Sequence, residues 1–69
     1  MKTRMKLTAY HKWLLRESKG DIQVLAFMLL NDVKSDQNPQ AFELLEKTGD
    51  KNYTLNTFVK AAKLIKAES

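Results

Sequence analysis

The segment at residues 20–33 constrains this chain most, because it is the one long apolar run in the sequence. It begins with Asp21, a residue type that caps helix N-termini, and it contains no proline. Six residues at helical spacing form one apolar face: Ile22, Leu25, Ala26, Leu29, Leu30 and Val33. Three more apolar residues fall outside that face: Val24, Phe27 and Met28. The run is shorter than the roughly 20 apolar residues that cross a bilayer. It therefore predicts the central helix of a small bundle, apolar nearly all round.

Length and composition narrow the class of protein. A chain of 69 residues has room for one small domain. It has no cysteine, which excludes disulfides and thiolate metal sites and favours a reducing compartment. No continuous apolar stretch follows the basic N-terminus, so we expect no signal peptide and a cytoplasmic location. Two glycines and one proline leave little room for hairpins, which favours an all-α fold.

Residues typical of helix starts and helix ends divide the chain into four predicted helices, at about residues 9–18, 21–33, 39–48 and 54–67. Thr8, Asp21 and Thr54 are placed to cap three of them, and Pro39 is placed at the first position of the third. Gly20 is placed to end the first helix in the left-handed conformation. We predict a flexible basic arm at residues 1–7 and a single helical domain at residues 8–69.

The periodicity also predicts which side chains face the core. In the first helix the inward side is predicted to hold Leu7, Tyr10, Trp13, Leu14 and Leu15. In the fourth helix the predicted core stripe is Leu55, Phe58, Val59, Ala62 and Ile65. Leu64 is predicted to lie exposed among lysines on the opposite side of that helix.

With the helices placed, the chain resembles a known family. The resemblance rests on these positions: residues 10–15 (Tyr-His-Lys-Trp-Leu-Leu), Leu25-Ala26, Asn31-Asp32, the proline that opens the third helix, Leu44-Leu45-Glu46, and Phe58 with Ala61. This order resembles the YozE family, small uncharacterised proteins of Gram-positive bacteria with a sterile-alpha-motif-like (SAM-like) helical fold. The sequence departs from the family pattern at Asn38 and Ala62, where members tend to carry aromatic residues. The resemblance implies a compact four-helix SAM-like bundle and a bacterial, phage or plasmid origin, and it brings no established activity.

The polar residues do not predict catalysis. His11 is the one histidine, and neither a cysteine nor a glycine-framed serine accompanies it as a nucleophile. Glu43 and Glu46 lie three residues apart on the third helix, and no spacing in the chain supplies a metal-ligand cage. We therefore expect no enzyme activity, no metal, no cofactor and no small-molecule substrate. His11 is interpreted as a half-buried residue that packs and hydrogen-bonds locally.

The charge pattern suggests one class of partner, DNA or RNA. The formal net charge is +4, with basic ends flanking an acidic centre. Six candidate nucleic-acid contacts lie on the outer sides of the first and fourth helices: Lys12, Arg16, Lys19, Asn56, Lys60 and Lys63. The segment at residues 45–58 has the approximate spacing of a helix-turn-helix, in which the residues facing a DNA groove would be Thr54, Asn56, Thr57 and Lys60. The alternative interpretation is that these lysines are an ordinary solvated helix exterior.

The second apolar side of the central helix suggests another class of partner, a protein or a second copy of this chain. Val24, Phe27 and Met28 either close the core or form an exposed interface with aromatic and methionine character. Of the two binding hypotheses, we favour a non-catalytic protein–protein interaction module over a small nucleic-acid-binding protein. Neither hypothesis involves a membrane.

Overall fold

The computed structural model describes residues 6–36 and 38–69, and within those ranges the chain forms four helices and no strand. The helices are α1 (Ala9–Ser18), α2 (Ile22–Ser35), α3 (Pro39–Lys47) and α4 (Leu55–Ala67). The predicted all-α fold with four helices is confirmed, and the largest shift is at the end of α2, which runs two residues further than expected. Residues 1–5 of the predicted arm lie outside the described residues. Leu7, at the arm's predicted end, packs against the core.

Local capping explains where the helices begin. The Thr8 hydroxyl accepts a hydrogen bond from the His11 amide at 3.2 Å, and the Thr8 amide donates to His11 Nδ1 at 3.3 Å, which makes a reciprocal capping box. The Asp21 carboxylate accepts from the amides of Gln23 and Val24 at the start of α2. At α4 the Thr54 amide donates to Thr57 Oγ1 at 3.0 Å. Each of these bonds satisfies an amide that the helix itself leaves unpaired.

α2 is the centre of the bundle, as predicted, since it contacts each of the other three helices and packs most extensively on α4. Lys66 Nζ near the end of α4 donates to the Gly20 carbonyl just before α2, at 2.9 Å. Leu55 at the start of α4 lines the same groove as Phe27, halfway along α2. The two helices are therefore antiparallel. The buried apolar core consists of Leu14, Leu25, Ala26, Leu29, Ala41, Leu44, Leu45, Phe58, Ala61, Ala62 and Ile65.

Three core-facing predictions were wrong. Trp13 is 45% exposed and Leu55 is 52% exposed, although both were predicted to face inward. Leu64, predicted to be exposed, packs against the core. The reason in α4 is that the helix is rotated to bury Thr57 and Ala61 in addition to Phe58, Ala62 and Ile65. Burial of Thr57 is tolerated because its hydroxyl accepts the Thr54 amide in the cap.

The end of α1 also differs from the prediction. Lys19, rather than Gly20, is the cap residue in the left-handed conformation, with φ of 56°, and Gly20 follows with φ of 76°. The Gly20 amide donates to the Leu15 carbonyl at 3.1 Å and the Lys19 amide to the Arg16 carbonyl at 3.1 Å. This is the bond pattern of a Schellman motif. Glycine is still required at position 20, because a residue with a Cβ atom there would add a second strained positive φ angle directly after that of Lys19.

Candidate functional site

The described surface includes a shallow, mostly apolar groove between α2 and α4. It has a volume of about 240 Å³ and is lined by Gln23, Ala26, Phe27, Leu55 and Val59. Ala26 is fully buried and forms the floor, while Phe27 and Leu55 stand 53% and 52% exposed. Isolated exposed apolar residues are common on proteins, but these two side chains border one depression. We refer to these five residues as the α2–α4 groove.

The three predicted interface residues of α2 are separated by the fold. Phe27 lines the α2–α4 groove, and Val24, one turn before it, is 44% exposed and extends the apolar surface outward along α2. Met28 is partly buried and packs against the core, so it contributes to the bundle. The exposed apolar surface of α2 therefore consists of Val24 and Phe27.

Leu55 and Val59 are groove residues that the sequence interpretation missed, because both were assigned to the core. Their helical spacing fits an inward stripe as well as an exposed one, so periodicity alone does not separate the two. One local signal was present: Thr57 in the fourth-helix segment is three residues after Thr54. A hydroxyl at that spacing can accept the amide of the cap residue, as Thr57 does from Thr54, which allows the hydroxyl to be buried.

Charged residues of both signs lie near the ends of the α2–α4 groove, among them the exposed Asp36 just after α2. Lys63 follows Val59 by one helical turn, and Lys34 follows Phe27 by two; both side chains are exposed. The only carboxylate within α2, that of Asp32, accepts a hydrogen bond from the Tyr10 hydroxyl and so faces α1. α4 contains no acidic residue between Leu55 and Ala67. The carboxylate of Asp21, before α2, accepts the amides of Gln23 and Val24.

The predicted nucleic-acid residues do not all share one free surface. Lys60 donates to Asp50 at 3.2 Å, and Asp50 also accepts the Asn52 amide at 3.0 Å. The Asn52 amide and then the Lys60 ammonium lower the pKa of Asp50 below its ordinary value. Lys60 is therefore neutralised locally. Five other candidates are exposed: Lys12, Arg16, Lys19, Asn56 and Lys63.

One contact gathers basic residues in a way that the sequence did not reveal. The hydrogen bond from Lys66 to the Gly20 carbonyl brings the end of α4 beside the end of α1, where Arg16 and Lys19 lie. Lys66 was not among the predicted candidates. The carbonyl ends of α1 and α4 both lie at this end of the bundle, and their partial negative charge offsets part of the basic charge.

The helix-turn-helix interpretation does not fit the structure. Seven residues, 48–54, separate α3 from α4, whereas the motif uses a turn of about three or four. Thr57, expected to face a DNA groove, is fully buried. Lys60 is held by Asp50. The segment is an ordinary helix–loop–helix connection in this fold.

His11 is buried between α1 and α3, at 5% exposure. Nδ1 accepts the Thr8 amide, so the neutral ring carries its proton on Nε2. Together with His11, Glu43 and Lys47 of α3 line a small cavity of about 90 Å³. Burial lowers the pKa of His11, the Lys47 charge lowers it further, and the Glu43 charge acts in the opposite direction. His11 thus completes the capping box of α1 with the local hydrogen bond that the sequence interpretation expected, but it is buried rather than half-buried.

The lowered pKa predicts a loss of stability in mild acid. The folded protein favours neutral His11, so its contribution is complete above the unfolded pKa, about 6.5, and is lost as pH falls toward the lower folded value. His11→Gln keeps a capping-box acceptor but does not titrate. We expect the free energy of unfolding, measured in urea by circular dichroism, to fall more between pH 7.5 and pH 5 in the wild type than in His11→Gln. Equal losses in the two proteins would contradict this prediction.

The described residues contain no group of three or more histidine, cysteine, aspartate or glutamate side chains placed to hold a metal ion. Over the same residues, no helix is long and apolar enough to cross a membrane.

Comparisons with protein-family models, with curated proteins and with solved structures return no match. The resemblance to the YozE family therefore rests on the sequence positions quoted for it, and the site is interpreted from its own residues.

Proposed function

We propose that this protein is a non-catalytic interaction module that binds another protein through the α2–α4 groove. The observation that carries the proposal is the pair of half-exposed side chains, Phe27 and Leu55, on either side of a buried Ala26 floor. Full burial of such a side chain contributes roughly 1.5–3 kcal/mol, so covering the exposed half of each stands to contribute about 1 kcal/mol. Aromatic anchors in pockets are the typical energetic centres of interfaces.

A location in the cytoplasm and an origin in a bacterium or a mobile element belong to this proposal. The absence of cysteine and the YozE-like sequence order support them. The SAM-like character of the bundle is also part of this proposal: three short helices packed around α2 support it, and the YozE resemblance suggests it.

DNA or RNA binding is the second candidate, favoured by the basic end of the bundle that the Lys66–Gly20 hydrogen bond assembles. It has less support than the groove. Asp50 engages Lys60, and helix C-termini, which repel phosphates, lie at the basic end. A small number of phosphate contacts gives weak, strongly salt-dependent binding.

A photo-crosslinking experiment tests the proposed function directly. A photoreactive phenylalanine analogue is placed at position 27 in cells that natively express the protein, with position 13 as the matched control. Trp13 is an exposed aromatic residue on α1 that does not line the groove. We expect a discrete protein adduct from position 27 and none from position 13. Adducts of equal yield from both positions, or no adduct from position 27, would exclude the groove as an interface.

A further inference from the structure

We propose that the occupant of the α2–α4 groove is a second copy of this chain, docked with its α2 antiparallel to the α2 of the first copy. The inference rests on the proposed function and names the partner for that site. It is carried by the exposed face of α2, on which the polar residues are arranged symmetrically about Phe27.

The exposed residues of this face lie at matched distances on the two sides of Phe27. Gln23 is four residues before Phe27 and Asn31 is four residues after it, about 6 Å in each direction at a rise of 1.5 Å per residue. Asp21 is six residues before Phe27 and Lys34 is seven after it, about 9 Å and 10 Å away. All five side chains are exposed. From its centre outward the face therefore presents an aromatic ring, then an amide, then a charge, and the charges at its two ends are opposite.

A two-fold axis at Phe27 makes this face complementary to itself. In an antiparallel pair of helices, a residue before Phe27 in one copy meets the residue that lies equally far after Phe27 in the other copy. Lys34 then faces Asp21 and Asn31 faces Gln23, and the symmetry forms each pair twice. The carboxylate of Asp21 keeps its negative charge for this contact, because its hydrogen-bond donors are neutral main-chain amides.

The other orientation of the two helices is unfavourable. A parallel pair would place Lys34 against Lys34 and Asp21 against Asp21, and like charges in contact repel. In the antiparallel pair, Asp36 lies about 14 Å from Phe27 and reaches the Gly20 turn of the other copy. Lys66 donates to the Gly20 carbonyl in that turn, so Asp36 also meets a positive charge there. The charges of the α2 face therefore select the antiparallel arrangement.

The apolar centre of the groove lies at the same two-fold axis. Phe27 and Leu55 are 53% and 52% exposed and border one depression, so the antiparallel copy brings both pairs into a single apolar cluster. This apolar area is small, which places the contact among transient interfaces that cover less than about 1,200 Å² in total. We therefore expect a weak dimer that dissociates on dilution.

Cysteine crosslinking tests the antiparallel pairing, because the chain has no cysteine of its own. The Gln23→Cys/Asn31→Cys variant is expected to form disulfide-linked dimers under mild oxidation. Its two cysteines are about 12 Å apart on one helix, too far for an internal disulfide. The single variants Gln23→Cys and Asn31→Cys are the matched controls and are expected to stay uncrosslinked, since each cysteine lies about 12 Å from its own counterpart. A crosslinked dimer from either single variant, or none from the double variant, overturns the inference.

Sedimentation equilibrium tests the role of the charges. Lys34→Glu sets a carboxylate against Asp21 twice, and each exposed charge pair is worth about two- to fivefold, so we expect dimerisation to weaken about tenfold. Addition of Asp21→Asn to Lys34→Glu is expected to restore part of the affinity. Asp36→Asn in the same background is the matched control and is expected to restore none, since asparagine preserves the helix cap at either position. No effect of Lys34→Glu, or equal rescue by the two asparagine substitutions, overturns the inference.

The same measurement separates this inference from the proposed function. Wild-type protein is expected to dimerise as its concentration rises from about 10 µM to about 1 mM, and Phe27→Gln is expected to remain monomeric. A wild-type monomer at every concentration overturns the inference. The proposed function then depends on the photo-adduct from position 27: an adduct with a different protein retains the groove as an interface, and no adduct overturns both.

Discussion

Replacement of Phe58 by alanine is expected to lower the free energy of unfolding by about 3–5 kcal/mol, the largest effect of any single substitution considered. Phe58 is 2% exposed and belongs to the core of α4. Its loss removes a large apolar side chain and leaves a cavity that short helices fill incompletely. A domain of this size has a total stability of roughly 3–10 kcal/mol, so the variant is expected to be partly or largely unfolded at room temperature. Urea titration followed by circular dichroism measures the loss.

Phe27→Ala is the matched control, because it makes the same chemical change at a 53% exposed position. We expect a loss below about 1 kcal/mol, since half of the side chain is already in water. Phe58→Leu, which removes less volume, supplies an intermediate loss if Phe58→Ala is too unstable to measure. Similar losses for Phe27→Ala and Phe58→Ala would contradict the burial that distinguishes groove from core.

Removal of the Tyr10 hydroxyl is expected to have the second largest effect. The hydroxyl donates to Asp32 Oδ2, a carboxylate on α2, and so connects α1 to the central helix. A hydrogen bond to a charged acceptor contributes about 1.5–3 kcal/mol, and partial exposure of both residues places this one near the lower end. We therefore expect Tyr10→Phe to cost about 1–2 kcal/mol in urea unfolding. Tyr53→Phe, at an exposed tyrosine, is the control and should be close to neutral.

The same hydrogen bond predicts a characteristic alkaline pH dependence. Burial first, then the hydrogen bond to Asp32 and its negative charge, raise the pKa of Tyr10 well above its ordinary value of about 10. The unfolded chain releases this proton near pH 10 while the folded chain retains it, so stability falls as pH rises above 10. Tyr10→Phe lacks this component and should lose less stability between pH 9 and pH 11. Parallel losses in the two proteins would show that Tyr10 does not contribute.

One face of α2 packs in the core, and another face carries the exposed residues of the proposed interface. α2 buries Leu25, Ala26 and Leu29 in the core and presents Phe27 and Val24 outward. The proposed binding and the folding of the bundle therefore depend largely on different residues, although Ala26 belongs to both the core and the groove floor. Substitutions in the groove can test binding in a protein that remains folded.

Much of the fold followed from local signals in the sequence. The capping residues Thr8, Asp21 and Thr54 and the proline at position 39 placed the helix starts within one residue of those observed. These signals are reliable because a cap depends on neighbouring amides and not on the rest of the fold. The long apolar run also identified α2 as the central helix, since only a helix with neighbours on several sides can bury so many apolar residues.

The sequence named part of the exposed apolar surface that borders the groove. Val24 and Phe27 were named from the second apolar side of α2, and the structure leaves both exposed. On the opposing wall Leu55 was wrongly assigned to the core. Val59 was assigned to the core and does pack against it, although it also lines the groove. For Met28 the sequence left core and interface open, and the structure packs it inward. Residues at the borders of an apolar stripe fit either assignment, and a rotation of the helix by a fraction of a turn moves them between core and surface.

The amino-acid sequence by itself determined four helices, their order and the central position of α2, because hydrophobic periodicity and capping act over a few neighbouring residues. Only the tertiary structure decided how α4 rotates against α2. Burial of Thr57 and Ala61 turned Leu55 outward, and antiparallel packing set it beside Phe27. The groove arises from contacts between residues about 30 positions apart in the chain. Their spatial relation is fixed by core packing, which no local pattern specifies.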